Sequence, residues 1–323
     1  MAKKIKREEL LDLMKYYEQA FFTHDLPIYF KQDLIIYPIL VKDYYKFYSC
    51  ISCFKINKNE DMVGIGKSDL GYIIYLCKDE EKGPQIFSQF VQLIEMIFHI
   101  ENGFYCPVCK KIIPFSEISQ NIKKYQNIPD SESEYKKELI NKYLKSVYIC
   151  DECTKNEGHD IHRIESIKFD KDEKNKDILK INDVPINSSE YDILRNIVLY
   201  YNIPDYDDEY IDPELKKDLE EVARLKNPNN VQPSLEKQES CIISACSAYN
   251  YETIKEISIR KLVILLRTID AQLHYFAYRQ AEASGFVTFK NELTHWIYGV
   301  DKKDKFADVM TMDALRDKLK DVT

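Results

Sequence analysis

Glycine is scarce in this sequence, with 8 residues among 323, and there is no glycine-rich loop. Loops that cradle phosphate groups need closely approaching backbone amides, so this scarcity counts against a nucleotide-binding loop. The nucleophile turn of serine hydrolases, the His-Glu pairs of metalloproteases and the Walker motifs are missing as well. We therefore expect a protein that is not an enzyme.

Long apolar runs and an excess of basic residues are also missing. No apolar stretch reaches the roughly 20 residues that a bilayer-spanning helix needs, and the basic N-terminus lacks the apolar segment of a secretion signal. The net charge of −8 differs from the basic character that is typical of nucleic-acid-binding proteins. We expect a cytoplasmic protein without a membrane-spanning segment and without direct contact to nucleic acid.

Hydrophobic periodicity predicts helices towards both ends of the chain. A β-hairpin is predicted within residues 26–40, then a helix over Val41–Phe54 and another beginning near Pro84, which suits a first helical turn. The longest predicted helix spans Ser258–Ser284, and Gly285 can supply its left-handed C-terminal residue. Further helices are predicted at residues 5–22, 132–148, 188–202, 212–226 and 301–322.

The predicted fold class is mainly α with small β elements (α+β). Residues 1–102 are predicted to form a helical N-terminal domain with a small β-hairpin, and residues 187–323 a helical C-terminal domain. Residues 103–186 lie between them as an inserted four-cysteine zinc module that contains a helix and a second β-hairpin, "IHRIESIKFD" with "DILKINDVPI".

Two Cys-x-x-Cys pairs mark this module, Cys106 with Cys109 in "FYCPVCKK" and Cys150 with Cys153 in "YICDECTK". Each turn can aim two thiolates at one ion, and two turns complete a tetrahedral shell. Zinc suits this ligand set because it is soft enough for sulfur and needs no redox partner. A catalytic zinc keeps one position open, whereas four cysteines close the shell. We therefore predict one structural Zn²⁺, which clamps a segment too polar to fold alone.

Two histidines after the second pair leave other ligand sets open. His159 or His162 could replace a cysteine or serve a second ion, and an open coordination site would favour a zinc enzyme. We favour the interpretation that both are surface residues of a polar loop. Lysines in and between the two pairs favour another alternative, a nucleic-acid-binding zinc regulator, although acidic residues are interleaved with them.

The remaining five cysteines lack a second pair at metal-binding spacing. Cys50 and Cys53 fall in a continuous apolar helical pattern. We interpret them as small buried hydrophobic residues, and the same interpretation applies to Cys77, Cys241 and Cys246.

Three longer stretches carry a resemblance that extends over about half of the chain: "LIIYPILVKDYYKFYSCISCFKINKN", "DILKINDVPINSSEYDILRNIVLYYNIPDYDDEYIDPEL" and "ISIRKLVILLRTIDAQLHYFAYRQAEASGFVTFKNELTHWIYG". They resemble parts of tail or baseplate-associated structural and assembly proteins of large tailed bacteriophages with low-GC hosts. The zinc-ribbon-like module then stands as an insertion between the matching parts.

The resemblance implies a protein that acts by holding its neighbours. It implies a non-enzymatic virion protein in an oligomer or hetero-complex with other tail or baseplate proteins, present in the host cytoplasm during assembly. It also leaves open a tail assembly chaperone that is absent from the mature particle. It transfers no active-site residue.

Overall fold

The structure is a computed structural model that describes residues 15–55, 58, 61–126, 133–204, 206, 221, 233–285 and 295–298. Of the helix predicted at residues 5–22, the part from residue 15 is described, and residues 15–20 are helical. The helices predicted at residues 212–226, residue 221 excepted, and at residues 301–322 lie outside the described residues.

The described part of the chain is mainly helical. Short 3-10 helices lie at Phe22–His24, Val41–Asp43, Ile254–Glu256 and Trp296–Tyr298. The α-helices after residue 20 are α1 Tyr44–Cys50, α2 Ser52–Lys55, α3 Met62–Ile65, α4 Asp69–Cys77, α5 Gly83–Phe98, α6 Phe115–Gln126, α7 Ser133–Tyr148, α8 Asp151–Glu157, α9 Ser188–Asn202, α10 Leu235–Ala245 and α11 Ile259–Ala283.

The strands form small antiparallel sheets. They are β1 Ile28–Lys31, β2 Leu34–Ile36, β3 Gly103–Tyr105, β4 Ile112–Pro114, β5 Ile164–Glu165, β6 Ile167–Lys171, β7 Asp177–Ile181 and β8 Val184–Ile186. β1 pairs with β2, the second sheet has the order β4-β3-β5, and the third has the order β6-β7-β8. The predicted fold class, mainly α with small β elements, is confirmed.

Polar caps fix where several helices begin. Asn187 and Glu190 form a reciprocal capping box at the start of α9. The Lys31 ammonium lies 2.7 Å from the Glu190 carboxylate and so links the β1–β2 hairpin to this cap. Ser258, the predicted first residue of the longest helix, is the N-cap of α11, and Gly285 has the predicted left-handed φ, at 75°, two residues after the helix.

The predicted single helix over Val41–Phe54 is interrupted. A turn at Ile51 separates α1 from α2, after a 3-10 turn at the start of the segment. The Phe54 amide donates to the Ile51 carbonyl at 3.0 Å, while the Cys53 thiol donates to the Cys50 carbonyl at 2.9 Å. In a continuous helix the Cys50 carbonyl would accept a hydrogen bond from the Phe54 amide. Here the Cys53 thiol takes that place, and the Phe54 amide bonds the residue three positions earlier, as in a 3-10 turn.

One hydrophobic core joins the two ends of the described chain. Phe90 of α5 is fully buried at its centre, with its ring 6.0 Å from Phe54, 5.1 Å from Phe169 and 6.4 Å from Tyr191. Leu262 of α11 belongs to the same core. Helices from both terminal portions therefore pack into one body.

The third sheet also belongs to this core. Leu179, Ile181 and Ile186 are fully buried in it, although the predicted module boundary placed residues 167–186 with the cysteines. The predicted hairpin does form, as β6 and β7 with β8 added. Its buried apolar side chains pack into the helical core, which offers far more apolar surface than the four cysteines and Ile161 do.

Candidate metal centre

The first cysteine pair lies at the tip of the β3–β4 hairpin. The Cys106 amide donates to the Lys111 carbonyl and the Lys110 amide donates to the Cys106 carbonyl, both at 2.9 Å. Lys110 adopts a left-handed φ of 62°, which turns the chain directly after Cys109. This tight turn points both thiols to the same side of the hairpin.

The second pair is positioned by a helix start. Cys150 is the N-cap of α8 and Cys153 lies in its first turn. The Thr154 amide donates to the Cys150 carbonyl at 2.8 Å, and the Cys150 amide donates to the Ile161 carbonyl at 2.9 Å. The helix start therefore places both cysteines of the second pair one turn apart.

The four sulfur atoms converge. All lie within 4.8 Å of one another, and the Sγ–Sγ distance is 3.8 Å both for Cys106 with Cys153 and for Cys109 with Cys150. Sulfur ligands placed tetrahedrally at about 2.3 Å from zinc are separated by about 3.8 Å. None of the four is in a disulfide. The donor set and its spacing therefore fit a single metal ion.

The thiols differ in acidity before any ion is considered. Burial raises the pKa of Cys106. Hydrogen bonds from the Cys109 and Val108 amides and from neighbouring thiols lower this pKa by a larger amount, so that it falls to about 7. Burial and the hydrogen-bonded neighbouring thiols raise the pKa of Cys153 to about 12. A metal ion would displace the remaining protons, since thiolates are its ligands.

The apolar support of the site is small. Its buried cluster consists of Cys106, Cys150, Cys153 and Ile161, with Cys109 at its edge. Four cysteines and one isoleucine bury little apolar surface, so the hydrophobic contribution to local folding is small. A metal bond can supply the missing free energy.

Aromatic and cationic side chains brace the site from outside. The Phe104 ring packs edge-to-face on Phe115 at 5.1 Å and on Tyr148 at 4.8 Å, which joins β3 to α6 and α7. The Arg163 guanidinium donates to the carbonyls of Ser146, Val147 and Ile149 at 2.7 to 3.0 Å. It thus supplies hydrogen-bond donors to carbonyls at the C-terminal end of α7, just before the second cysteine pair.

Gly103 and Ser166 connect the site to the main body. The Gly103 amide donates to the Ser166 hydroxyl at 3.0 Å, and the Ser166 amide donates to the Gly103 carbonyl at 2.9 Å. The Ser166 carbonyl accepts a hydrogen bond from the backbone amide of Asn182, in the turn between β7 and β8 of the third sheet, at 2.7 Å. The fully buried Ser166 therefore joins the two sheets.

Gly103→Ala is expected to loosen the hairpin that carries the first cysteine pair. An added Cβ would overlap the Ile113 carbonyl oxygen and approach the Pro114 Cα at 2.8 Å. We expect a loss of about 1–3 kcal/mol in local stability, measured by hydrogen exchange of the amides in residues 103–114. Gly66→Ala is the matched control, because its Cβ would meet no atom within 4 Å. Equal protection in both variants would contradict this account.

The two histidines do not join the cysteines. His159 and His162 are both exposed, and the His159 ring nitrogen lies 3.1 Å from the Glu157 carbonyl. Among His, Cys, Asp and Glu of the described residues, the four cysteines are the group whose ligand atoms converge. The geometry favours the interpretation of surface histidines over a mixed ligand set.

The other five cysteines were predicted to be buried, and the structure confirms this for only some of them. Cys50 and Cys53 are buried as predicted, and Cys77 and Cys246 are partly buried. Cys241 is exposed, so its predicted burial is wrong. It faces outward because the apolar side of α10 is presented by Ile242 and its helical neighbours.

Thiol labelling of the zinc-loaded protein should follow this burial. Cys241 is expected to react first with iodoacetamide. Cys50 and Cys53 are expected to react last, because burial raises the pKa of Cys53 well above its usual range. A chelator should then expose Cys109 and its three partner cysteines to the reagent. Labelling of the site cysteines before Cys241, without chelator, would contradict a metal-filled site.

The comparisons with known proteins identify no relative. No family model matches the sequence, and no curated protein and no solved structure matches it. None of the described helices combines the length and the apolar character that crossing a bilayer requires. The assignment to a phage tail therefore stays a prediction from the sequence resemblance.

Proposed function

We propose that the protein is a non-enzymatic structural or assembly component of a phage tail or baseplate, in which one Zn²⁺ clamps the inserted module. The resemblance of three sequence stretches supports the phage assignment. The convergence of four cysteine sulfurs within 4.8 Å supports the clamp, because such a shell leaves no position for water or substrate.

The exposed apolar surface also favours a protein that docks neighbours. Leu273 and Phe276 of α11 are 62% and 50% exposed. They continue, at spacings of four and three residues, the stripe that the partly buried Leu266 and the buried Ile269 present to the core. Apolar surface that is left open in this way is typical of interaction sites.

A nucleic-acid-binding zinc protein is the second candidate, supported by the lysines of the module. Lys123 and Lys124 lie near the end of α6, and Lys136 and Lys137 near the start of α7. Glu117, Glu134 and Glu138 of the same helices offset them. A shift of labelled DNA or RNA that weakens steeply with salt would favour this candidate.

Quantitative mass spectrometry of purified particles against lysate tests the first candidate. A fixed small copy number in particles is expected for a tail or baseplate subunit. Abundance in lysate with absence from particles would favour the assembly chaperone, provided that the chain co-purifies with tail intermediates. Absence from both particles and intermediates would overturn the proposal.

A further inference from the structure

A groove of about 460 Å³ separates helix α5 from the metal-bearing module. One wall is formed by α5 and the other by the start of β3 and the β4–α6 junction; the lining residues are Phe87, Ser88, Val91, Gln92, Glu95, Glu101, Asn102, Pro114, Phe115 and Ser116. Its size is that of a site for a ligand or a side-chain cluster. It lies where the module meets the main body, a common location for binding sites.

The charge of the groove has one sign. Glu95 and Glu101 are its charged residues, and no lysine or arginine lines it. Among the described residues, neither carboxylate forms a salt bridge within 4.0 Å. The Asn102 amide donates to Glu95 Oε1 at 2.9 Å, which holds this carboxylate in place at the groove wall. One carboxylate held in place and a second, exposed carboxylate beside apolar walls suit a cationic, partly apolar occupant.

The apolar lining supplies the second element of recognition. The rings of Phe87 and Phe115 lie on the opposite walls, with Val91 and Pro114 beside them. An aromatic face attracts a lysine or arginine side chain, and the apolar walls accept leucine or isoleucine from the same segment. Small polar residues, Ser88 and Ser116, lie at the exposed rim and leave the opening unobstructed.

We propose that this groove binds a basic amphipathic segment of a neighbouring protein, with a lysine or arginine between Glu95 and Glu101 and apolar side chains against Phe87 and Phe115. The proposal rests on the proposed docking function and names the chemistry of the partner. The metal centre contributes by holding one wall, since β4 belongs to the hairpin that carries the first cysteine pair and Phe115 follows it directly, with its ring against Phe104 of β3.

Fluorescence anisotropy of the zinc-loaded full chain tests the groove. The probe is a short labelled peptide with leucines on one helical face and lysines on the other, and the control peptide carries glutamates in place of the lysines. We expect the basic peptide alone to bind. Glu95→Gln with Glu101→Gln should weaken its binding about twofold to thirtyfold, since two ion pairs are lost. Ser116→Trp should block it at the rim.

The matched control variant is Glu80→Gln with Glu81→Gln, which changes the net charge equally at exposed positions before α5. It should bind the basic peptide as the unaltered chain does. Equal weakening of peptide binding in both double variants would show that only the overall charge matters, which would overturn the proposal. Failure of the unaltered chain to bind the basic peptide would also overturn it. Tighter binding after neutralising Lys3, Lys4, Lys6 and Arg7 would identify the chain's own N-terminus as the occupant and overturn the assignment to a partner.

The outcomes separate this proposal from the docking function itself. If the chain is found in particles at a fixed copy number but the groove variants leave peptide binding unchanged, the docking function stands and the groove is wrong. If the groove binds the peptide but the chain is absent from particles and from tail intermediates, the site stands and the phage assignment is wrong.

Discussion

Cys106→Ser with Cys109→Ser is expected to release the metal and to unfold the module while the main body stays folded. The site's buried cluster holds only cysteines and Ile161, so we expect a bound metal ion to supply most of the local folding free energy. Structural zinc sites of this kind contribute about 10–16 kcal/mol in isolated peptides near neutral pH. Zinc content should fall from one ion per chain to near none, and amides of residues 103–165 should exchange at nearly unprotected rates.

The matched control is Cys241→Ser, which changes an exposed thiol outside the site. It should keep one zinc per chain and full protection of the module. Amides of α5 and α9 should stay protected in both variants, because their core does not include the cysteines. A double variant that retains its zinc and its protease resistance would show that the site is not the clamp.

Phe90→Ala is expected to have the opposite effect, destabilising the main body and leaving the metal in place. Phe90 is fully buried and contacts Phe54, Phe169 and Tyr191, so its truncation leaves a cavity where helices from both ends of the chain meet the third sheet. Such a truncation costs about 3–5 kcal/mol. Chemical denaturation followed by far-ultraviolet circular dichroism would measure it, with zinc content determined on the folded protein.

The control for this variant is Phe276→Ala, at a ring that is 50% exposed on α11. Its free energy of unfolding should change by less than about 0.5 kcal/mol. A loss below about 1 kcal/mol for Phe90→Ala would contradict a shared core. Loss of zinc from the folded Phe90→Ala protein would contradict the independence of the two clusters.

Local sequence signals were sufficient for the elements with caps and periodicity. Pro84 in the first turn of α5, the apolar pattern that begins at Ser258 and the two short β-rich runs of the β1–β2 hairpin each predict the observed structure. The three-residue strands β3 and β4 and the helix α6 were not predicted. Strands this short show no periodicity, and β3 is defined by pairing with β5 some sixty residues away in the sequence.

The residues of the candidate site could be predicted from the sequence, whereas the contacts around it could not. The spacing of the two Cys-x-x-Cys pairs identifies the four residues whose sulfurs converge. The Phe104 and Arg163 contacts could not be predicted, because they depend on where α7 ends in space. The exposure of Cys241 was missed for a similar reason, since the orientation of α10 is set by its tertiary packing.

X-ray absorption at the zinc edge, on purified full-length protein with its metal content quantified, tests the central claim most directly. A closed clamp predicts one zinc per chain surrounded by four sulfur atoms at about 2.3 Å. The two Sγ–Sγ separations of 3.8 Å already match such a shell. A shell containing nitrogen or oxygen ligands, or zinc well below one ion per chain, would contradict the account.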